Sequence, residues 1–423
     1  GTDWQDEIFR NGGLQNYQLS VSGGSDNVQY YLSGVYYDQK GIIENSDFNR
    51  YSITSNINID ATDWLSFGGN LFGRGSRLNG TNSQKAPGSS QADVIEGAYT
   101  FPSTLEIFDS EGNYIPSDRG FQIDNPVAVA NELQIDNLSD LLQVNTYGEV
   151  NLFKSLKFRS SVGAKVLSSR YGRYYPTTLL RGAPIDGEGE MRTSKRRELL
   201  TENYFTFSPD LGNAHALSVV AGSSFQSFST ENLRVITNGF PSDANLWWDL
   251  NSASSTANVS SGLTESELLS YYGRVNYTLM GKYLVTFTAR QDGSSVLAEG
   301  NKWKFFPSAA LAWNLSRENF MSGLSQINQF KVRGSYGLTG NQAIQPYESL
   351  GQLTSVFTTQ NGNVVTALRP SNLGNAELTW ETTAQTDIGI DLGILDDQFT
   401  ITLDYYKMIT SDLLFDVELP GFI

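Results

Sequence analysis

An alternating pattern runs through Tyr271-Tyr272-Gly273-Arg274-Val275-Asn276-Tyr277-Thr278-Leu279. Its odd positions are apolar or glycine, and its even positions after Tyr272 are arginine, asparagine and threonine. The pattern returns at 283–290 and at 330–336, where apolar residues again alternate with charged or polar ones. Side chains alternate across a β-strand with a period of two, so each segment predicts a strand with one apolar and one polar face.

The length of these segments and the position of their tyrosines separate two kinds of β-protein. A soluble sandwich also alternates, but its strands are only about 5–6 residues long. The first two segments are longer, and tyrosines stand at the ends of their apolar faces. This is typical of an all-β transmembrane antiparallel β-barrel, with lipid outside and water inside. In 51–60 the same alternation predicts three isoleucines facing lipid and three polar residues facing water, namely Ile53, Ile57 and Ile59 against Thr54, Asn56 and Asn58.

The composition excludes several classes of protein. Of the 423 residues, 39% are hydrophobic, and no apolar run approaches the roughly 18 residues of a membrane-spanning helix. The chain has no cysteine, which excludes disulfide frameworks, thiolate metal sites and cysteine nucleophiles. Its net charge of −16 argues against general affinity for nucleic acid. Gly1-Thr2-Asp3-Trp4 does not resemble a signal peptide, so we expect a late start of the numbering or an internal piece of a longer chain.

About fourteen strands can be read along the chain, joined for the most part alternately by short turns and longer loops. Outer-membrane barrels place their short turns on the periplasmic side, which predicts that position for the turns at Ser25, Thr62, Lys154 and Gly212. The long loops are predicted to be extracellular, at about 77–137, 169–195, 229–264 and 340–378. Leu419–Ile423 does not look like a terminal strand, so we expect later strands of the barrel to be missing.

The sequence shows no set of residues with catalytic or metal-binding spacing. His215 is the only histidine and stands beside the turn Gly212-Asn213, so neither a histidine cluster for a metal nor a Ser-His-Asp triad is available. Asp109-Ser110-Glu111-Gly112-Asn113 faintly resembles a calcium loop, but its glycine is misplaced and no glutamate follows at the required spacing. We predict a hairpin tip there, and we predict no catalytic, cofactor or metal site in the chain.

Some side chains are candidates for contact with a ligand or a partner protein. Trp247 and Trp248 lie in a long loop, where two large rings are costly to leave in water unless something covers them. They either pack against neighbouring segments or form a platform for a ligand or partner. Charges predicted to face inward could touch a solute, solvate a wide lumen or pair with a plug, and they are Arg159, Lys165, Arg274, Arg333, Asp387 and Asp391.

Several ordered segments together resemble SusC-like TonB-dependent outer-membrane transporters, over nearly the whole chain. The first two are Thr2-Asp3-Trp4-Gln5-Asp6-Glu7-Ile8-Phe9-Arg10 and Asn16-Tyr17-Gln18-Leu19-Ser20-Val21-Ser22-Gly23-Gly24. Those that follow are Gly41-Ile42-Ile43-Glu44-Asn45-Ser46-Asp47-Phe48, Asp124-Asn125-Pro126-Val127-Ala128, Arg290-Gln291-Asp292-Gly293-Ser294-Ser295, Phe306-Pro307-Ser308-Ala309, Gly334-Ser335-Tyr336-Gly337-Leu338-Thr339-Gly340-Asn341-Gln342 and Thr379-Trp380-Glu381-Thr382-Thr383.

The resemblance implies a fold, a function and partners. Members of the family have an N-terminal plug and a barrel of about 22 strands, so this chain would be the middle of the barrel, without the plug, the TonB box and the final strands. The implied function is TonB-dependent import of oligosaccharides or peptides across the outer membrane of a Gram-negative bacterium. A SusD-like lipoprotein would form a lid on the long loops, and TonB would act through the plug.

The residues alone are also compatible with two other classes of barrel protein. A self-sufficient, fourteen-stranded passive porin or fatty-acid channel would need its first and last strands, Leu14–Val21 and Phe399–Tyr406, to pair with each other. In part of a larger barrel these strands would lie apart and pair with strands outside residues 1–423. A barrel enzyme would need a catalytic set that the sequence does not show.

Overall fold

A fourteen-stranded antiparallel sheet makes up most of the molecule. The computed structural model describes residues 1–80, 93–117, 123–324 and 326–415, so the predicted external loop at Leu419–Ile423 lies outside the described residues. In chain order the strands are β1 (Leu14–Gly24), β2 (Val28–Lys40), β3 (Asp47–Thr62), β4 (Leu65–Asn79), β5 (Gln134–Phe153), β6 (Leu156–Tyr175), β7 (Glu188–Phe207), β8 (His215–Asn238), β9 (Ser255–Leu279), β10 (Tyr283–Ser294), β11 (Trp303–Asn314), β12 (Ile327–Asn341), β13 (Leu353–Gln360), β14 (Asn363–Pro370), β15 (Glu381–Ile394) and β16 (Phe399–Ser411).

The strands pair in the order in which they follow along the chain. The sheet runs from β1 to β12 and then to β15 and β16, whereas β13 and β14 form a separate hairpin. Consecutive antiparallel pairing is the topology of an up-and-down barrel wall, and it confirms the predicted fold class and the about fourteen strands. β1 and β16 stand at the two ends of the sheet, and no pairing joins them within the described residues.

The register gathers apolar side chains of neighbouring strands on one face of the sheet. They face each other in cross-strand pairs such as Val275 and Phe287, Val285 and Leu311, and Ile388 and Tyr405. All six side chains are exposed, and no hydrophobic core formed by the described residues covers them. A continuous apolar surface of this kind is unfavourable in water and suits hydrocarbon. We call this face of the sheet the outer face and the opposite face the inner face.

Strand β3 shows the predicted alternation. Ile53 and Ile57 are exposed on the outer face. Asn56 and Asn58 border a recess on the inner face, where the Tyr147 hydroxyl donates a hydrogen bond of 2.9 Å to the side-chain oxygen of Asn58. The two faces of β3 therefore differ in chemistry, as a strand between lipid and water requires.

Aromatic rings mark two levels of the outer face. Tyr283 stacks with Trp313 at 6.1 Å between ring centroids, and Tyr271 stacks with Trp303 at 6.2 Å. Trp303 pairs across the sheet with Gly293, which lies ten residues beyond Tyr283 on β10. A tilted strand crosses a bilayer in about 9–11 residues, so the two ring pairs have the spacing of aromatic girdles at the two membrane interfaces. A further row of rings crosses β1, β2 and β3 at Tyr17, Tyr36 and Tyr51.

Strands β6 to β9 are longer than predicted, at 20 to 25 residues. Only 176–187 of the predicted loop 169–195, and only 239–254 of the predicted loop 229–264, lie outside strands. The loop boundaries were wrong because both faces of a strand meet water beyond the bilayer. The alternation of apolar and polar residues therefore ends before the strand does.

The other two predicted loops contain elements of their own. The loop 340–378 contains the hairpin of β13 and β14. The loop 77–137 contains α2 (Val94–Thr100) and α3 (Pro126–Glu132), which pack with α1 (Trp4–Ile8) around a shared hydrophobic cluster. Each helix begins after a residue whose side chain accepts hydrogen bonds from backbone N–H groups, and these are Asp3, Asp93 and Asn125. Among the described residues, none of the helices is both long and apolar enough to cross a membrane.

An arginine introduced on the outer face of β3 should cost more folding free energy than one introduced on the inner face. Ile57→Arg should destabilise the folded barrel by about 2–4 kcal/mol, because it places a guanidinium in hydrocarbon. The matched control Asn56→Arg should cost much less, since that side chain borders the aqueous recess. Equilibrium unfolding in lipid vesicles measures both costs, and equal costs would contradict the assignment of the faces.

Candidate functional site

The predicted contact residue Arg333 lies on the inner face of β12, where two aspartates neutralise it. Its nitrogens lie 3.3 Å from a carboxylate oxygen of Asp391 and 2.5 Å from one of Asp404. Asp387 accepts a hydrogen bond of 3.3 Å from the Ser335 hydroxyl. Arg333, Ser335 and Asp387 border a recess of about 330 Å³. This part of the inner face is polar, and its charges are largely paired.

Arg159 lies on the inner face of β6 in a second polar recess of about 540 Å³. Its guanidinium carbon sits 3.7 Å from the centre of the Tyr147 ring, and one nitrogen is 3.6 Å from Glu149. Lys165, further along the same strand, is 3.2 Å from Glu198. Stacking and ion pairing hold both cations against the wall, where Arg159 can still meet a solute.

Arg274 lies on the inner face of β9, opposite Thr288 of β10. Its Nε donates a hydrogen bond of 3.2 Å to the Asn276 side-chain oxygen, and the side chain is exposed. Arg159, Arg274 and Arg333 thus stand on β6, β9 and β12, which are not neighbouring strands. The structure places them at three separate positions on the wall and does not assemble them into one site.

The two adjacent tryptophans lie in different environments. Trp247 is only 4% exposed and packs with Tyr174 and Phe240. A Cβ atom on Gly172 would lie 2.3 Å from the Trp247 ring, so the ring occupies the space that a side chain would fill on the outer face of β6. Trp248 is 57% exposed, and the Arg170 guanidinium stacks on its ring at 4.4 Å. Trp247 is therefore part of a hydrophobic cluster, and Trp248 is the exposed ring of the pair.

A buried carboxylate with three arginines was not predicted. Glu190 of β7 is 0% exposed; its Oε1 accepts a hydrogen bond of 2.6 Å from Arg234 Nε and a shorter one from Arg192 Nε. Arg173 places a terminal nitrogen 2.6 Å from Oε2. Glu190 lies seventeen residues from Phe207 at the far end of β7. Since about 9–11 residues cross a bilayer, the cluster lies outside the membrane.

The charge state of Glu190 follows from its surroundings. Burial alone would raise the pKa of this carboxyl, but the hydrogen bonds from Arg192 and Arg234 and the charge of Arg173 together lower it. Val219 of β8 pairs with the outer-face residue Val275, so Arg234, at an even position of β8, lies on the inner face. Arg192 is its direct cross-strand partner and lies on the same face, and both border a recess of about 650 Å³. The sequence signal was the dense charge between Glu188 and Glu198, which lay partly within a predicted loop.

His215 and the segment around Asp109 make local contacts. His215 is the first residue of β8, and its Nδ1 lies 2.7 Å from the hydroxyl of Tyr277 on β9. The Asp109 carboxylate accepts hydrogen bonds of 2.8 Å from the backbone N–H groups of Glu111 and Asn113, within a turn bounded by a bridge between Phe108 and Tyr114. The part of the chain that the structure describes contains no group of three or more side chains that could hold a metal ion.

An antiparallel sheet with an apolar outer face, aromatic girdles and a polar inner face is the wall of an outer-membrane β-barrel. Residues 122–422 match the family described as TonB dependent receptor-like, beta-barrel. The chain belongs to this family, whose members are outer-membrane transporters rather than enzymes.

The chain is also similar to individual proteins. The chain is 39% identical over 422 residues to TonB-dependent receptor P3 of Formosa agariphila, covering 100% of this chain and 42% of that protein. It is 29% identical over 454 residues to TonB-dependent receptor SusC of Bacteroides thetaiotaomicron, covering 99% of this chain and 43% of SusC. The solved structure of the RagAB peptide transporter superposes with a TM-score of 0.85 at 24% identity, covering 99% of this chain and 47% of that chain. The chain thus spans less than half the length of these relatives.

The different environments of the tryptophans predict different costs of truncation. In the full-length receptor, Trp247→Ala should lower the free energy of unfolding by about 3–5 kcal/mol, because it empties a packed cluster. Trp248→Ala should cost less than about 1 kcal/mol, since the exposed ring loses mainly its contact with Arg170. Denaturant unfolding of the two variants measures the difference, and similar losses would contradict the packing described here.

Glu190 predicts a pH-dependent contribution to stability. A carboxyl whose pKa is lowered on folding stabilises the fold above its ordinary pKa of 4.5, and this contribution disappears as the pH falls through the lowered value. Glu190→Gln should therefore destabilise the full-length receptor by about 3 kcal/mol at neutral pH, because three guanidiniums lose their shared carboxylate.

Melting temperatures of wild type and Glu190→Gln, compared between neutral pH and about pH 3, give the measurement. The difference between the two proteins should shrink as the pH falls below about 4.5. A difference that is constant with pH would show that the carboxylate charge does not stabilise the cluster. Glu231→Gln, which removes an exposed carboxylate paired with Arg197 on the outer face, serves as the control.

Proposed function

We propose that this chain is the central part of the barrel of a transporter in the outer membrane of a Gram-negative bacterium. The transporter imports an oligosaccharide or a peptide in a TonB-dependent manner, together with a SusD-like lipoprotein lid. Membership of the TonB-dependent receptor family supports the proposal, as does the 29% identity to SusC. The fold shared with the RagAB peptide transporter is consistent with it.

The observation that carries the proposal is the contrast between the two faces of the sheet. The outer face presents apolar side chains and aromatic girdles, whereas the inner face contains polar recesses of about 330, 540 and 650 Å³. These volumes lie in the range of about 300–1,000 Å³ that is typical of pockets for small ligands. Hydroxyls, amides and paired charges on the inner face suit a solute that carries many hydrogen-bonding groups.

The passive channel is the less favoured alternative. Such a channel would have to satisfy the backbone groups at both edges of the sheet by pairing β1 with β16, and the described residues contain no such pairing. Both strands are exposed along their whole length. The edges are thus available to other strands of a larger barrel, in agreement with the greater length of the relatives.

The experiment that tests the proposed function measures uptake in cells. Labelled oligosaccharides and peptides are offered to a wild-type strain, a strain lacking the receptor and a strain lacking TonB. We expect uptake of at least one ligand to require both proteins, because energy reaches the barrel through TonB and the plug. Uptake that needs the receptor but continues without TonB would support the passive channel instead.

The hairpin of β13 and β14 is our candidate for contact with the lid. One of its faces presents apolar side chains that are 63–83% exposed, namely Leu353, Phe357, Val364 and Leu368. Leu353, Ser355, Phe357 and Thr359 share one face of β13, because side chains alternate along a strand. Leu368 lies opposite Ser355 and Val364 lies opposite Thr359, so all four apolar residues are on the same face. The hairpin lies in one of the long loops predicted to be extracellular, at the end of the barrel where a lid would dock.

Replacing these four apolar residues by serine in the full-length receptor should reduce copurification of the lipoprotein in mild detergent by about tenfold or more, because each lost apolar contact contributes about 1 kcal/mol or more. Gln360→Ser with Asn363→Ser, at the polar tip of the same hairpin, is the control and should leave copurification unchanged. Unchanged copurification of the fourfold variant would remove the hairpin from the lid interface.

A further inference from the structure

Two arginines face each other across neighbouring strands on the inner face. Arg192 of β7 is the direct cross-strand partner of Arg234 of β8. Like charges in this relation repel each other and destabilise a sheet. Here both Nε atoms donate to the same Oε1 of the buried Glu190, which compensates the repulsion and fixes the position of both guanidiniums.

The ends of the two guanidiniums are open. The Arg192 and Arg234 side chains are 47% and 41% exposed. Their hydrogen bonds to Glu190 use the Nε atoms, and no described residue accepts a hydrogen bond from the terminal nitrogens of either. The ring of Tyr171 lies beneath Arg192 at 5.0 Å and supports it. The structure thus presents a pair of positioned donors with free capacity for bidentate hydrogen bonds.

The described residues that line the recess around these donors include no carboxylate. Its lining consists of the two arginines and of neutral residues, many with hydroxyl or amide groups, namely Asn137, Ser139, Ser169, Tyr171, Thr193, Ser194, Asn232, Leu233, Ser260, Ser261 and Gly262. By contrast, Asp387 borders the recess at Arg333 and Glu202 borders the one at Arg159. In a chain with a net charge of −16, this recess carries surplus positive charge.

The surplus remains after the neighbouring ion pairs are counted. Arg173, Arg192 and Arg234 surround Glu190, and Arg181 lies 2.7 Å from Glu188, which also meets Arg173 at 3.5 Å. Four guanidiniums against two carboxylates leave two positive charges. Because the Arg192 and Arg234 side chains are the more exposed of the three around Glu190, this charge is available in the recess.

We propose that this recess, which we call the Arg192–Arg234 site, binds an anionic group of the imported ligand. The inference rests on the transport function proposed above. The group is a carboxylate or a sulfate ester, since both present oxygens in the geometry that an arginine fork recognises. The surrounding hydroxyls and amides bind the neutral polar parts of the same ligand. The transporter therefore prefers acidic oligosaccharides or acidic peptides to neutral ones.

Binding to the purified full-length receptor with its lid tests the proposal. The probes are an oligogalacturonate, a sulfated carrageenan oligosaccharide and a peptide rich in glutamate. Each has a neutral counterpart of equal length, namely a methyl-esterified oligogalacturonate, a neutral agarose oligosaccharide and a peptide rich in glutamine. We expect at least one acidic probe to bind about tenfold or more tightly than its counterpart, and the preference to weaken with added salt. Equal binding of all three pairs would contradict the site.

The double variant Arg192→Gln, Arg234→Gln should abolish the preference, while Arg197→Gln should preserve it. Arg197 is the matched control because it lies on the same strand, is 46% exposed and pairs with Glu231 on the outer face. Arg192→Lys with Arg234→Lys keeps the charge but loses the fork, and it should retain part of the preference. An undiminished preference in both double variants would overturn the proposal. If the glutamine variant does not fold, an undiminished preference in the lysine variant would overturn it.

Two further results separate this inference from its alternatives. If the glutamine variant loses the lid on copurification and keeps the wild-type preference for acidic probes, the site is a docking surface for the lipoprotein and the inference is wrong. If TonB-dependent uptake is found for neutral ligands alone, the proposed transport function holds and the inference fails. Loss of the acidic preference in the variant, with the lid still bound, supports the inference.

Discussion

The structure depends on the requirement that every backbone N–H and C=O group in hydrocarbon has a partner. Each unpaired group there costs several kcal/mol, so strands can cross a bilayer only with neighbours on both sides. Consecutive antiparallel pairing from β1 to β12 and on to β15 and β16 satisfies this requirement along the sheet. The side chains then divide by face, with Val285 and Phe287 directed to lipid and Arg274 and Arg333 directed to water.

The chemistry of the inner face varies along the wall. Near Arg333 and near Arg159 carboxylates hold the cations, so these parts are polar with little surplus charge. At the Arg192–Arg234 site a single buried carboxylate positions two arginines whose terminal nitrogens stay open. Under the proposed transport function, the wall hydrates a passing solute and the Arg192–Arg234 site selects for charge. The Arg192–Arg234 site lies beyond the membrane, since Glu190 is seventeen residues from the far end of β7.

The alternation of residues such as Val285 and Thr286 was sufficient to predict the strands within the membrane, and the family resemblance agreed with the comparisons. The alternation could not predict where β6 to β9 end, because beyond the bilayer both faces of a strand meet water. Nor could it separate Trp247 from Trp248, which differ through contact with Gly172, seventy-five residues away from Trp247. The Glu190 cluster depends on the cross-strand register of Arg192 and Arg234, which local sequence does not specify.

Successive residues of one membrane-spanning strand face lipid and water in turn. This part of the receptor contains no cysteine, so single cysteines from Val285 to Ala289 can be spin-labelled in the full-length protein in vesicles. Accessibility to oxygen, which concentrates in lipid, should peak at 285, 287 and 289, and accessibility to a water-soluble nickel complex should peak at 286 and 288. Accessibility that does not alternate along these five positions would contradict the account.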